Sequence, residues 1–145
     1  MDLIIAIYSA LLSTALLINE LFKHRKKLTI ILEHVAWYET VQVIITNVGK
    51  RTITLLDMIV CIGTDENSYC EMVPKNALFA IDDPFPVKIK DGEAISIPLG
   101  EVLARTLLEN QLKAKIEIYD SQGKKYSDFK TRTYDAKWGG YYDLP

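Results

Sequence analysis

The feature that most constrains this chain is an apolar run that ends in a block of cations. Leu3 to Ile18 contains no charged side chain, and Asn19-Glu20-Leu21-Phe22 then leads into Lys23-His24-Arg25-Lys26-Lys27. Leu3 to Phe22 is 20 residues; as a helix rising about 1.5 Å per residue it covers roughly 30 Å, the thickness of a bilayer's hydrocarbon core. A cleaved export signal carries cations before its apolar run and a small-residue site after it. Here Asp2 precedes the run and a basic block follows, so residues 1–27 read as an uncleaved transmembrane anchor with a basic stop. Lys23, Arg25, Lys26 and Lys27 follow the span, and only the amino group and Asp2 precede it. The positive-inside rule then predicts a single-pass protein of the inner (cytoplasmic) membrane, N-terminus outside and soluble domain in the cytoplasm. The same four cations are expected to meet lipid headgroups, as the flank of any span does.

Within the span, Ala6, Ser9, Ala10 and Ser13 recur at helical spacing, and steps of three and four carry the stripe to Glu20. Small residues so placed let two helices approach closely, and a carboxylate on the same stripe is less costly against protein or headgroups than against lipid. The stripe is a candidate contact face, for self-association or for a membrane partner.

Beyond the anchor the chain reads as soluble. Removing two acids and four bases from the 19 and 17 of the whole chain leaves 17 and 13, so residues 28–145 carry about −4. That balance argues against a nucleic-acid partner, because neutralising phosphates needs a basic face. Glycine loops of the phosphate-binding type are absent from the sequence, and no cofactor is expected.

After Lys27 the periodicity changes from helical to alternating. The runs "LTIILEHV" (28–35), "TVQVIITN" (40–47), "TITLLDMIVCI" (52–62), "SYCEMV" (68–73), "PVKIK" (86–90), "AISIPL" (94–99), "KAKIEIYD" (113–120) and "KYSDFKT" (125–131) read as short strands. Turn signals at 47–50, 63–67, 90–93 and 121–124 separate several of them. Asn47 and Gly49 are expected to supply positive φ, Asp91-Gly92 a tight hairpin and Gln122-Gly123 a weaker one. Strands at this spacing predict a mainly β, antiparallel sandwich or barrel over 28–131. One helix is expected near 100–111, with Val102, Leu103, Thr106 and Leu107 on its buried face.

The stretches "VIITNVGKRTITLLDMIV", "VKIKDGEAISIPL" and "KIEIYDSQGKKYS", behind an N-terminal span and basic stop, resemble a pattern in small, mostly uncharacterised bacterial and phage single-pass membrane proteins. The resemblance implies an immunoglobulin-like β-sandwich after the anchor and carries over no catalytic residue. The Tyr corner and Cys-Trp-Cys pattern of antibody domains are not matched.

Cys61 and Cys70 are the only cysteines. A hairpin turning on Asp65-Glu66 would set residues summing to 131 opposite one another and so oppose the two sulfurs, whereas a cytoplasmic domain keeps thiols reduced. Buried thiols, a bridge in an exported domain, and a metal or redox site are the three readings. Only His24 and His34 accompany them, and the spacing suits no zinc site. The acids of the turns fit no calcium loop, and no nucleophile elbow or acid-base pair stands out. The expectation is a non-enzymatic protein. The tail at 132–145 concentrates Tyr134, Trp138, Tyr141 and Tyr142, four of the 14 aromatics. These are residue types that dominate binding hot spots, and they either pack on the domain or meet a partner. The resulting expectation is a membrane-anchored protein-interaction module, a scaffold or adaptor, in contact with lipid and with a protein partner or its own copies. Two rivals are an oligomerising, toxin-like or phage-defence effector whose span perturbs the membrane, and an exported envelope adhesion module.

Overall fold

Strict alternation of apolar side chains sets the first strand pair. Leu28, Ile30 and Leu32 on β1 (Leu28–Val35) and Val41, Val43 and Ile45 on β2 (Thr40–Asn47) are all buried, and the two strands pair antiparallel from Leu28↔Asn47 to Val35↔Thr40. A slip of one strand by one residue would turn its apolar row to solvent, so this register is strongly specified. The computed structural model describes the chain except residues 24, 36–39, 64–70, 110–112, 128, 136–139 and 144–145, with the backbone alone at Lys23, Phe129, Tyr134, Asp135 and 141–143. Helix α1 (Asp2–Lys23) precedes β1. After β2 come β3 (Ile53–Gly63), β4 (Glu71–Met72), the single turn α2 (Lys75–Leu78), β5 (Val87–Ile89) and β6 (Ala94–Pro98). The chain continues through α3 (Glu101–Glu109), β7 (Lys113–Asp120), β8 (Lys125–Tyr126), β9 (Phe129–Asp135) and β10 (Gly140–Asp143).

The strands form two sheets, ordered β10-β9-β1-β2-β6 and β4-β3-β7-β8, with β5 pairing the start of β3. The two sheets share one apolar core, in which Ile30, Val43 and Ile45 of the first meet Ile53, Leu55, Val60, Ile116 and Ile118 of the second. The protein is therefore mainly β, as expected. β3 changes phase in mid-strand: Ile53 and Leu55 are buried, then Met58 and Val60, and Leu56 is exposed. A bulge between Leu55 and Asp57 inserts the extra residue and returns the apolar row to the core. The Asp57 carboxylate accepts from Met58 N at 2.9 Å and from Lys75 Nζ at 3.0 Å, which ties the bulge to α2.

Three expectations change. One pairing is parallel: after β8 the chain leaves the second sheet, and β9 joins the first alongside β1 from Ile30↔Phe129 to Val35↔Tyr134. β10 then adds antiparallel to β9, with Tyr141 opposite Tyr134, so the sheet runs through the boundary expected at 131 and the tail's Tyr134, Tyr141 and Tyr142 lie on strands. Trp138 is outside the described residues. On α3 the buried side chains are Leu103, Ala104 and Leu107, while Val102 is 77% exposed. The helix is turned so that Ala104 rather than Val102 flanks Leu103 against the core, because a small residue allows the closer approach.

That rotation is testable. Leu103→Ala should lower the unfolding free energy by about 2–4 kcal/mol, whereas Val102→Ala should change it by less than about 0.5 kcal/mol. Urea unfolding of the full chain in detergent micelles, followed by fluorescence, distinguishes the two.

Candidate membrane-proximal junction

α1 meets the conditions for a span by length and composition: Asp2–Phe22 has a mean hydropathy of 1.8, and none of it is buried against the domain. The chain between it and β1 is not a free tether. Arg25 N donates to Phe22 O at 3.3 Å, which carries the last turn of the helix onward. Lys27 O accepts from Val48 N at 3.0 Å and Gly49 N at 3.1 Å, and Arg25 O accepts from Lys50 N at 3.4 Å. The exit segment thus lies as an extra strand-like rung against the turn between β2 and β3.

That contact explains two residues of the turn. Gly49 is needed for space rather than for positive φ, since a Cβ there would stand 2.5 Å from Arg25 O and 2.7 Å from Lys27 N. Positive φ is found instead at Gly92 and Gly123, in the two turns read from Asp-Gly and Gln-Gly. Asn47, fully buried, acts as a strut. Its Nδ2 donates to Arg51 O at 2.7 Å and Ile89 O at 3.0 Å, and its Oδ1 accepts from Gly49 N at 3.0 Å. Its backbone closes the β5–β6 turn through Glu93 O and Gly92 N, both at 2.9 Å.

The second anchor is Asp120, whose carboxylate has no exposed surface. Oδ1 accepts from Gln122 N and Lys124 N, each at 2.9 Å, forming the turn into β8. Oδ2 accepts from Lys26 Nζ at 3.3 Å and Tyr126 OH at 3.2 Å. Lys26, 13% exposed, also donates to Gln122 Oε1 at 2.6 Å, and Lys124 Nζ returns to Lys26 O at 3.1 Å. Burial alone would raise the Asp120 pKa, but the backbone donors and the Lys26 ammonium outweigh it and hold the carboxyl below its ordinary range. The neighbouring Tyr126 phenol is pushed well up, first by burial and then by the Asp120 charge. Lys26 is thus turned to the domain and committed to a carboxylate, while Arg25 and Lys27 remain exposed.

The other residues singled out in the sequence fall elsewhere. Ala6, Ser9, Ala10, Ser13 and Glu20 are exposed along α1, and Thr14 Oγ1 donates to Ala10 O at 2.8 Å within the helix. The register at Cys61 differs from the one a turn at 65–66 would give. The register pairs Cys61 with Met72 and Ile62 with Glu71, so facing residues sum to 133 and the hairpin is two residues longer. Cys70 lies outside the described residues. His34, on β1, is held below its usual pKa by burial. Among the described residues no three His, Cys, Asp or Glu side chains converge as a metal site. The Lys26–Asp120 pair escaped sequence reading because its members are 94 positions apart; the available signal was an Asp ending an apolar-alternating strand directly before a Gly turn. A search of family models, curated proteins and solved structures gives no match to this chain.

Asp120→Ala, which strands Lys26, the Tyr126 hydroxyl and two turn amides, should destabilise the domain by about 3 kcal/mol in equilibrium urea unfolding at pH 7. The sign of the pH dependence follows from the lowered carboxyl. Its contribution is fully present above the unfolded-state value near about 4 and is lost as pH falls below that toward the lower folded-state value. Asp120→Asn should therefore flatten the acid limb of a stability–pH curve measured below about pH 4. Gly49→Ala should lower stability by about 1–3 kcal/mol through the clash with the exit segment.

Proposed function

We infer that this chain is a single-pass membrane protein whose β-domain, an immunoglobulin-like sandwich, lies in the cytoplasm and acts by binding rather than by catalysis. The observation that carries the reading is the state of α1. Its large apolar side chains from Leu3 to Phe22 stay 47–73% exposed, with none covered by the domain to which the helix is stitched. Such a surface in water is not sustainable, and a bilayer satisfies it along its full length. Cations confined to the exit side support a cytoplasmic domain.

The strand order supports the immunoglobulin-like assignment. The neighbours β1-β2-β6 in one sheet and β4-β3-β7-β8 in the other follow the A-B-E and C′-C-F-G orders of that sandwich, with β9 carrying the last strand across to lie parallel to the first. A binding role is supported at the end remote from α1. There Met72 and Val102, 61% and 77% exposed, border a shallow apolar depression with Val73, Ala77 and Leu103, chemistry that suits a protein partner's apolar side chain.

Sidedness decides the reading. In intact cells a membrane-impermeant maleimide should leave Cys61 and Cys70 unlabelled, and permeabilised, denatured cells should label both without prior reduction. Labelling of either cysteine before permeabilisation would overturn the cytoplasmic assignment.

A further inference from the structure

Three turns of the β-domain share the end from which α1 departs, and they concentrate positive charge there although the domain as a whole is negative. Hydrogen bonds join these turns to one another and to the exit segment: Lys50 N to Arg25 O at 3.4 Å, Gly92 N to Asn47 O at 2.9 Å and Ser121 N to Thr54 O at 2.9 Å. The side chain of Lys26 spans to Gln122 at 2.6 Å. At this end Arg25, Lys27, Lys50, Arg51, Lys90 and Lys124 are exposed, against exposed Asp91 and Glu93. Six cations against two acids leave an excess of four, and Lys26 and Asp120 neutralise each other beneath. The opposite end has the reverse balance among the described residues. Exposed Glu71, Glu101 and Glu109 there outnumber Arg105 and Lys113.

We propose that this basic end is a lipid-facing surface that seats the β-domain on anionic phospholipid headgroups, with Lys50, Arg51 and Lys90 as its domain-borne contacts. The inference rests on α1 being a span and deepens that reading. Arg25 is three residues beyond Phe22, a chain length of at most about 10 Å, and its carbonyl is hydrogen-bonded to Lys50. The turn at 48–51 is therefore held within about one Debye length of the headgroups at ordinary ionic strength. A tether of that length leaves the domain little freedom to stand away from the bilayer. Charge complementarity favours the anionic cytoplasmic leaflet, where each cation at the surface adds to the attraction. Lys26, drawn inward by Asp120, contributes nothing directly, and the three turn residues more than replace it.

Lysine footprinting of the full chain in lipid nanodiscs tests this. Amines are acetylated and quantified by mass spectrometry in discs of phosphatidylcholine alone and in discs with phosphatidylserine added. Because an anionic surface concentrates protons there, the reactive neutral amine at Lys50 and Lys90 should become roughly 3- to 7-fold scarcer with phosphatidylserine present. Acetylation should slow by that factor, and the effect should fade at about 1 M salt, where the screening length falls to roughly 3 Å. Lys113, which pairs with Gly63 at the far end of β3, should react equally in both discs. Equal rates at Lys50 and Lys90 in the two lipids, in a chain that stays with both discs, would overturn the inference and leave the span intact. Equal protection in both would also overturn it, by showing contact without anionic selectivity. A chain that separates from both discs on flotation would remove the span and the lipid-facing surface together.

Discussion

A carboxylate withdrawn completely from water has to find donors, and the way Asp120 finds them organises the end of the domain next to α1. Its two oxygens draw on the turn amides of Gln122 and Lys124, the Tyr126 hydroxyl and the Lys26 ammonium. Those donors come from the exit segment and from the β7–β8 turn running into β8, so one side chain ties a hairpin to a piece of backbone 94 positions away. Breaking such a pair from one side leaves the other charge unsatisfied, which is why the arrangement is more constraining than a surface ion pair of equal length. The neutral counterpart is Asn47, whose amide spans the β2–β3 turn and the end of β5. Between them these two residues make the basic segment beyond α1 part of the fold.

The outer face of the second sheet shows the contrast. Glu117 accepts from Tyr119 OH at 2.9 Å, with Lys115 at 3.3 Å and Lys125 at 3.6 Å. The Tyr119 hydrogen bond and the two cations hold its carboxyl below the usual range against a modest opposing burial. The two lysines are 61% and 49% exposed on the outer face, and these pairs decorate the sheet without determining it. On the first sheet a chain of side chains runs from Ser96 through Gln42 to Glu33, linking β6, β2 and β1 across the strands. Glu33 and Gln42 are register partners and Ser96 is diagonal to Gln42, so the network follows from the strand pairing already set by the core.

How much could be read from the residues depended on whether the pattern was local. β1, β2 and β7 begin and end where the alternating runs do, because each has one row facing the core and one facing out. Lys26 was legible as a cation but not as Asp120's partner, since charge and spacing say nothing about a residue 94 positions away. Gly49 was legible as a turn glycine for the wrong reason: the constraint is the backbone of the exit segment lying against it, a tertiary contact. The Cys61 register failed by two residues because hairpin register depends on loop length. The tail was readable as aromatic, yet its role as β9 and β10 depends on β1 having an open edge.

The engagement of residues 25–27 by the β-domain changes what a contact along α1 would mean. In a chain with a flexible tether, partners of the Ala6, Ser9, Ala10, Ser13 and Glu20 stripe would concentrate the domains without orienting them. Here the carbonyls of Arg25 and Lys27 and the side chain of Lys26 are all engaged by the domain. With those groups held, a rotation of the helix about its axis would reach the domain through residues 25–27. Any association along the stripe would select which flank of the β-domain faces its neighbour, and a charged headgroup layer under the turns would resist the tilts that would lift Lys50 and Lys90 away. Contacts along the stripe and at the basic end, if both were made as proposed, would act on the same few degrees of freedom, with the Lys26–Asp120 pair as the element that couples them.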